Sequence, residues 1–157
     1  MYVGSVEPVD KAMWILSKQE NQFIRQNISF IPALYKIFDE ILVNAADNKI
    51  RNPEQTKIEV KIGDFIEVYN DGCGIYPEYM NEYKQYVPEF IFGELRAGSN
   101  FDDEKRIVGG RNGMGATLCN IYSDFFEVET ASRGKYFKMA WENGIPVEGS
   151  RKKVEIF

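Results

Sequence analysis

The sequence predicts an α+β fold in which a mixed, mostly antiparallel sheet carries its helices on one face. Three observations support this prediction: one long segment has helical periodicity, two short segments form an alternating hairpin pattern, and the last part of the chain alternates apolar and polar residues in three further segments. The elements arrive in the order helix, hairpin, loop, helix and meander. That order argues against a doubly wound parallel sheet, in which strands and helices alternate.

Length and composition indicate one folded domain and exclude several classes of enzyme. Of the 157 residues, 44% are hydrophobic and 14% aromatic, so we expect one domain with its own core over residues 1–157. The formal net charge of -5 argues against a broad surface for a nucleic-acid backbone. The chain has no histidine, which excludes a Ser-His-Asp hydrolase and a His-ligated zinc enzyme. Carboxylates must therefore carry any proton transfer.

Cysteine usage and hydropathy restrict the environment of the chain. Cys73 and Cys119 lie far apart and outside any metal-ligand spacing, which is typical of free thiols in a reducing compartment. No apolar run approaches the ~20 residues that a membrane-spanning helix needs, so we expect no contact with a membrane.

The first half of the chain contains the clearest helix. Tyr2–Val6 is a candidate short strand, and Ser17–Asn27 is predicted to be a loop or a hairpin. A helix is predicted from Pro32 to about Lys49, because Pro32 suits a first turn and Asn52-Pro53 marks a stop. Its apolar residues recur at three-and-four spacing: Leu34, Ile37, Phe38, Ile41, Leu42 and Ala45.

The middle of the chain predicts a hairpin followed by a loop. Lys57–Lys61 and Phe65–Tyr69 alternate apolar and polar residues across a Gly63-Asp64 turn. Asn70–Gly74 then ends the second strand in a loop. Pro88–Leu95 is predicted to be a short helix.

The last part of the chain predicts a glycine-rich loop, a helix and three strands. Residues 98–113 are expected to form a long flexible loop of the kind that serves as a lid, and Gly113–Ser123 a helix that opens on glycine. Three antiparallel strands follow, joined by tight turns at Arg133-Gly134 and Asn143-Gly144. They are Phe125–Thr130, Lys135–Trp141 and Lys153–Phe157.

A polar line on the predicted long helix is the first candidate for chemistry. Glu40, Asn44 and Asp47 follow one another at four- and three-residue steps, so they project from one strip of the helix. A carboxylate can orient and deprotonate water, and an amide oxygen one turn away suits Mg²⁺. The alternative is an ordinary solvated helix face.

Two glycine-containing segments are the other candidates. In Asp71-Gly72-Cys73-Gly74 a buried aspartate could accept from an exocyclic amino group such as that of adenine, although the pattern is also that of a simple turn. Gly109–Gly115 leads into a helix and could hold phosphate, or could be a flexible surface loop. It has neither the P-loop order nor the position of a Rossmann fingerprint. Together the three candidates imply ATP as the ligand.

The wording of these segments resembles the ATP-binding domain of eukaryotic-type DNA topoisomerase II, within the GHKL group that also includes gyrase, Hsp90, MutL and histidine kinases. The resemblance covers almost the whole chain. It rests on YVGSVE at residues 2–7, IPALYKIFDEILVNAADNKIR at 31–51, YVPEFIFG at 86–93, GSNFDD at 98–103 and GGRNGMGATLCNIYS at 109–123. It implies the GHKL or Bergerat fold, a two-layer α+β sandwich.

The resemblance also implies roles for individual residues. Glu40 would be the general base, Asn44 would ligate Mg²⁺, and Asp71 would hold the adenine amino group. Gly98, Ser99 and Asn100 would contact ribose and phosphate. The lid around the triphosphate would consist of Gly110, Arg111, Asn112, Gly113, Met114, Gly115, Ala116 and Thr117. Three residues with implied roles depart from the family pattern: Asp71 stands in place of the usual asparagine, Met114 in place of an aromatic residue and Thr117 in place of a lysine.

For the whole protein, the resemblance implies a nuclear type IIA topoisomerase that relaxes, decatenates and unknots DNA. Such an enzyme passes one duplex through a transient break in another while ATP closes a homodimeric gate, and DNA is contacted mainly outside this segment. The transducer and DNA-cleavage domains would lie beyond Phe157, and the isolated segment would be weakly active or inactive. Two alternatives stay open: an ATP-responsive dimerisation module, or another GHKL ATPase of the Hsp90 or MutL type.

Overall fold

The computed structural model describes residues 3–95 and 114–156, and the elements within them form an α+β fold. In chain order these elements are β1 (Val9–Ser17), β2 (Gln22–Phe30), α1 (Pro32–Arg51), β3 (Ile58–Ile62), β4 (Ile66–Asn70), β5 (Tyr79–Met80), β6 (Gln85–Tyr86), α2 (Val87–Gly93), α3 (Gly115–Ile121), β7 (Phe125–Ser132), β8 (Lys135–Glu142), β9 (Ile145–Pro146) and β10 (Lys152–Glu155). The chain divides into two compact units, residues 1–37 and residues 38–157.

The first unit contains a long hairpin. β1 and β2 pair antiparallel from Val9 opposite Phe30 to Ser17 opposite Gln22. A hairpin was one of the two predictions for Ser17–Asn27, but its turn is confined to residues 18–21 and β1 was not predicted.

The predicted strand at the N-terminus is wrong over residues 3–6, which are irregular; Tyr2 lies outside the described residues. Gly4 has a φ of +103°, a left-handed value that an extended strand does not use. A Cβ on Gly4 would lie only 2.9 Å from Cβ of Pro32, and the N–H of Ala33 donates to the carbonyl of Ser5 at 3.0 Å. The segment therefore packs against the start of α1 instead of extending.

The long helix confirms its prediction closely. α1 begins at Pro32 and ends at Arg51, two residues beyond the predicted end. The ammonium group of Lys49, in its last turn, donates to the carbonyls of Pro53 and Gln55, each at 2.6 Å. A cation at this position also complements the negative end of the helix dipole.

The predicted central hairpin and the short helix are both present. In β3 and β4, Val60 lies opposite Val68, and the strand ends differ from the prediction by one residue. α2 begins at Val87 and ends at Gly93, because Glu94 turns the backbone to φ −107° and ψ 131°. The two-residue strands β5 and β6 were not predicted, since they are too short to carry an alternating pattern.

The C-terminal strands confirm the predicted meander with one addition. β8 is central, pairing with β7 on one side and with β10 on the other, while β9 also pairs with β8. At the Asn143-Gly144 turn both residues have positive φ, 51° and 75°, as a two-residue hairpin turn requires. All strand pairs within residues 3–95 and 114–156 are antiparallel, and they form four separately hydrogen-bonded groups rather than the single sheet expected.

The core of the second unit lies on one face of β8. Phe137, Met139 and Trp141 alternate along the strand and are 0%, 3% and 1% exposed. Phe126 of β7 packs on Trp141 with ring centres 5.9 Å apart, and Tyr86 packs on Phe137 at 5.7 Å. The period of two that predicted the strand therefore also identifies its buried face.

Two further predictions concern cysteine and membranes. Cys73 and Cys119 are both free, as expected, and burial raises the pKa of the Cys119 thiol to about 11. Over the described ranges, no helix combines the length and the apolar character needed to cross a membrane.

Replacing a core aromatic tests this packing. We expect Phe137→Ala to lower the free energy of unfolding by about 3–5 kcal/mol, because the side chain is fully buried and leaves a cavity. Urea unfolding measures the change. Ile145→Ala, at a side chain that is 69% exposed, is the control and should stay within about 0.5 kcal/mol of the parent.

Candidate active site

The glycine that opens α3 lies directly against the carboxylate of Glu40 on α1. A Cβ placed on Gly115 would collide with Oε2 of Glu40 and would lie 2.9 Å from its Cδ and 3.0 Å from its Cβ. Gly115 is buried and Glu40 is half-buried. Two of the three predicted segments, the polar line on α1 and the glycine-rich segment, therefore meet at this point.

The third segment meets the same helix further along. Asn48 donates through Nδ2 to Oδ1 of Asn70 at 3.3 Å, and a Cβ on Gly72 would collide with that same Nδ2. Glu40 and Asn48 are separated by about 12 Å along the helix axis at 1.5 Å per residue. Asn44 lies between them on the same strip and is exposed. α1 thus forms one side of the candidate site, with Gly115 close to Glu40 at one end and Gly72 close to Asn48 at the other.

An amide network fixes the Asn70–Gly72 loop against α1. Gln55, which is 2% exposed, donates through Nε2 to the carbonyl of Ala45 at 2.9 Å and accepts from Nδ2 of Asn48 at 2.8 Å. Oδ1 of Asn70 also accepts from the N–H of Gly72 at 3.2 Å. Each amide therefore has a defined donor and acceptor end in the network.

Neither Asn48 nor Gln55 was predicted from the sequence. Asn48 stands four residues after Asn44, so the helical spacing that selected Glu40 and Asn44 could have found it. Gln55 lies between elements and gives no such signal, because its partners are distant in the sequence.

Asp71 differs from expectation in its surroundings. It is exposed rather than buried, and its Oδ1 accepts the N–H groups of Thr56 and Lys57 at 2.9 and 2.8 Å. Its Oδ2 accepts the hydroxyl of Thr56 at 2.6 Å. The Thr56 hydroxyl and then the Lys57 amide hold the pKa of Asp71 below its ordinary value, so the carboxylate is charged at neutral pH. Asp71 thereby fastens the end of β4 to the start of β3.

Thr117 also differs from expectation. It was predicted to face the triphosphate, but it is fully buried and its Oγ1 lies 2.9 Å from the carbonyl of Glu94 and 3.2 Å from that of Ile91. Ala116 is buried and Met114 is half-buried. The other predicted contacts lie outside the described residues: Gly98, Ser99, Asn100, Gly110, Arg111, Asn112 and Gly113.

An open cavity on the described part of the surface is lined by none of the predicted site residues. It has a volume of about 330 Å³ and is lined by Lys49, Gln55, Thr56, Lys57 and Ile58. Two of the lining residues, Thr56 and Lys57, donate hydrogen bonds to Asp71, so this cavity lies beside Asp71 and not at Glu40.

Most of the chain matches a known protein family. The sequence profile of the family described as "Histidine kinase-, DNA gyrase B-, and HSP90-like ATPase" matches residues 31–143. The chain belongs to this ATPase family. The matched stretch contains Glu40, Asn44, Asp71 and Gly115, which are the residues that the three segments contribute.

Individual relatives narrow the similarity within this ATPase family. DNA topoisomerase 2 of Candida albicans is 50% identical over 150 residues, which are 92% of this chain and 10% of the relative. DNA topoisomerase 2-alpha of Sus scrofa is 51% identical over 146 residues, again covering 10% of the relative. This chain therefore spans about a tenth of the length of the curated relatives that it matches.

Solved structures of this ATPase family agree. The ATPase region of Saccharomyces cerevisiae topoisomerase II has a TM-score of 0.91 at 45% identity, covering 99% of this chain and 43% of that one. The ATPase and transducer domains of DNA topoisomerase II from Balamuthia mandrillaris give 0.92 at 42% identity, covering 99% and 41%. The resemblance to the ATPase region of eukaryotic DNA topoisomerase II is thus confirmed.

Adding one methyl group tests the contact at Gly115. We expect Gly115→Ala to destabilise the protein by about 1–3 kcal/mol, because the new Cβ collides with the Glu40 carboxylate. Urea unfolding measures the change. Gly63→Ala is the control, since a Cβ there meets nothing within 4 Å. Equal stability of both variants would contradict the contact.

Replacing Gln55 tests the amide network beside Gly72. Gln55→Met keeps most of the side-chain volume but loses the hydrogen bonds to Ala45 and Asn48, so we expect a loss of about 1–3 kcal/mol. Thermal and urea unfolding provide the measurement. The exposed Gln26→Met serves as the control, and a similar effect at both positions would remove the special role of Gln55.

Proposed function

We propose that this chain binds ATP and hydrolyses it with Glu40 as general base. The observation that carries the proposal is the contact between Glu40 and Gly115, which joins a half-buried carboxylate to the glycine-rich segment in a member of an ATPase family. A side chain at residue 115 would occupy the space next to this carboxylate, and glycine keeps that space free of one.

In the proposed reaction, Glu40 removes a proton from a water molecule while the water oxygen attacks the γ-phosphorus of ATP. The bond from the γ-phosphorus to the β,γ-bridging oxygen breaks, ADP leaves, and the proton stays on the Glu40 carboxyl before it passes to solvent. In phosphoryl transfer the protein mainly positions groups and stabilises charge. A carboxylate held in place by α1 supplies that positioning.

Asn44 is the proposed ligand of Mg²⁺. Its exposed side chain stands one turn after Glu40, and an amide oxygen is a hard donor that suits this ion. Within residues 3–95 and 114–156 no group of three or more acidic or thiol side chains could hold a metal. Mg²⁺ keeps several waters and is usually held by few protein ligands together with phosphate oxygens. When bound, the ion would neutralise phosphate charge.

Asp71 is the proposed acceptor for the adenine amino group. An ionised carboxylate has about four lone-pair sites, and Thr56 and Lys57 occupy three of them. Those hydrogen bonds fix the carboxylate and leave capacity for one more donor. The ribose and phosphate contacts are assigned to the glycine-rich segments, as the family resemblance implies: Gly98, Ser99, Asn100, Gly110, Arg111, Asn112, Gly113, Met114, Gly115 and Ala116.

We further propose that the whole protein is a nuclear, ATP-dependent type IIA topoisomerase that acts as a homodimer and relaxes, decatenates and unknots DNA. The high identity to several eukaryotic DNA topoisomerase 2 sequences supports this over an Hsp90- or MutL-like enzyme. The complete domain would then have the two-layer GHKL sandwich. DNA would be contacted mainly by regions beyond this segment.

Replacing the proposed base tests the chemistry. We expect Glu40→Gln in the full-length protein to bind nucleotide within about threefold of the parent and to lose at least about a hundredfold in turnover, because the amide cannot accept the proton. Titration with a non-hydrolysable ATP analogue and a phosphate-release assay measure the two effects. The matched control is Glu67→Gln, an exposed residue paired with Lys61. Undiminished hydrolysis by Glu40→Gln would exclude Glu40 as the base.

A measurement of DNA-stimulated ATPase activity distinguishes a topoisomerase from an ATP-responsive dimerisation module. Full-length protein is assayed with and without duplex DNA, beside the isolated segment. Stimulated turnover of the full-length protein supports the topoisomerase. Nucleotide-dependent dimerisation without turnover would instead support the module.

A further inference from the structure

Two buried polar side chains of α3 both reach the end of α2. Thr117 is 0% exposed and Asn120 is 1% exposed. The single proton of the Thr117 hydroxyl is shared between the carbonyls of Glu94 and Ile91, whose oxygens lie 2.9 and 3.2 Å from Oγ1. Nδ2 of Asn120 donates to the carbonyl of Phe92 at 3.0 Å. The side chains of α3 therefore reach three carbonyls at the end of α2, those of Ile91, Phe92 and Glu94.

The carbonyls that these side chains reach need partners. The last four carbonyl groups of a helix have no donor within the helix, and a buried carbonyl without a donor costs free energy. α2 ends at Gly93, and the N–H of Glu94 satisfies only the carbonyl of Phe90. The donors from α3 thus bind the two helices together through hydrogen bonds that are partly buried.

The same turn of α3 carries the contact with Glu40. Thr117 is two residues after Gly115, so its side chain and the Gly115–Glu40 contact belong to one turn of helix. A rotation of α3 that broke the Thr117 hydrogen bonds would also move Gly115 along the Glu40 carboxylate.

We propose that Thr117 is a positioning residue, whose hydroxyl locks the first turn of α3 to the end of α2 and so holds Gly115 against Glu40. This rests on the proposed function, because Glu40 is the proposed base. It assigns Thr117 no direct contact with the triphosphate through its side chain, in agreement with its complete burial. We call the hydrogen bonds from Thr117 and Asn120 of α3 to the carbonyls at the end of α2 the clasp. In this proposal the clasp fixes the position of Gly115 against the Glu40 carboxylate.

A pair of near-isosteric variants in the full-length protein tests the proposal. Thr117→Val keeps the shape but lacks the hydroxyl, whereas Thr117→Ser keeps the hydroxyl. We expect Val to lower kcat about ten- to hundredfold while the nucleotide Kd stays within about threefold, since misplaced catalytic groups affect turnover more than binding. We expect Ser to keep kcat within about threefold of the parent. A folded Ser variant that loses kcat as Val does would overturn the role of the hydroxyl.

Hydrogen–deuterium exchange of the nucleotide-free protein tests the clasp independently of catalysis. Peptides covering α3 should exchange at least about tenfold faster in Thr117→Val and at the parental rate in Thr117→Ser, while peptides of β8 stay protected. Unchanged exchange in Val, or a large change in Kd with kcat preserved, would refute the proposal. If Glu40→Gln hydrolyses ATP normally, the proposed function fails, whereas the exchange data still decide whether the clasp exists.

Discussion

The absence of a side chain at residue 115 is the constraint on which the proposed site depends. Gly115 lets the backbone of α3 approach the Glu40 carboxylate more closely than any other residue would permit. Packing of the neighbouring helix α2 on the core supports this approach. Gly93, at the end of α2, lies against Trp141, since a Cβ there would stand 3.6 Å from Nε1 of the indole. A continuous series of contacts therefore leads from the core of β8 through α2 and α3 to the carboxylate on α1.

Buried polar side chains give this arrangement its specificity. Apolar packing alone tolerates small shifts of one element against another, whereas a buried hydroxyl or amide must keep its partner. Gln55 fixes the Asn70–Gly72 loop to α1, and Thr117 fixes α3 to α2. Both residues join elements that are close in space and distant along the chain. The two ends of the proposed site are thus set by hydrogen bonds that cannot shift without cost.

The helices and strands whose residues follow a local periodicity could be predicted from the sequence. α1 was found from three-and-four spacing and β3–β4 from alternation, because each pattern is written in consecutive residues. The proposed base and the glycine that faces it were also selected from the sequence, and the structure brings them together. What sequence reasoning missed depends on distant partners: Asp71 is exposed and accepts hydrogen bonds from Thr56 and Lys57, which lie 15 and 14 residues earlier in the chain. The direction of the Thr117 side chain follows from carbonyls 23 and 26 residues away.

The clasp also bears on the glycine-rich residues that connect α2 to α3. The hydrogen bond from Thr117 to the carbonyl of Glu94 joins positions 23 residues apart, so the chain between them starts and finishes at a fixed point. Bringing the ends of a segment together costs entropy that grows slowly with its length. The clasp meets that cost when the protein folds. The proposed effect of the Thr117 hydroxyl is therefore on the placement of the base, through Gly115, and not on the affinity for nucleotide.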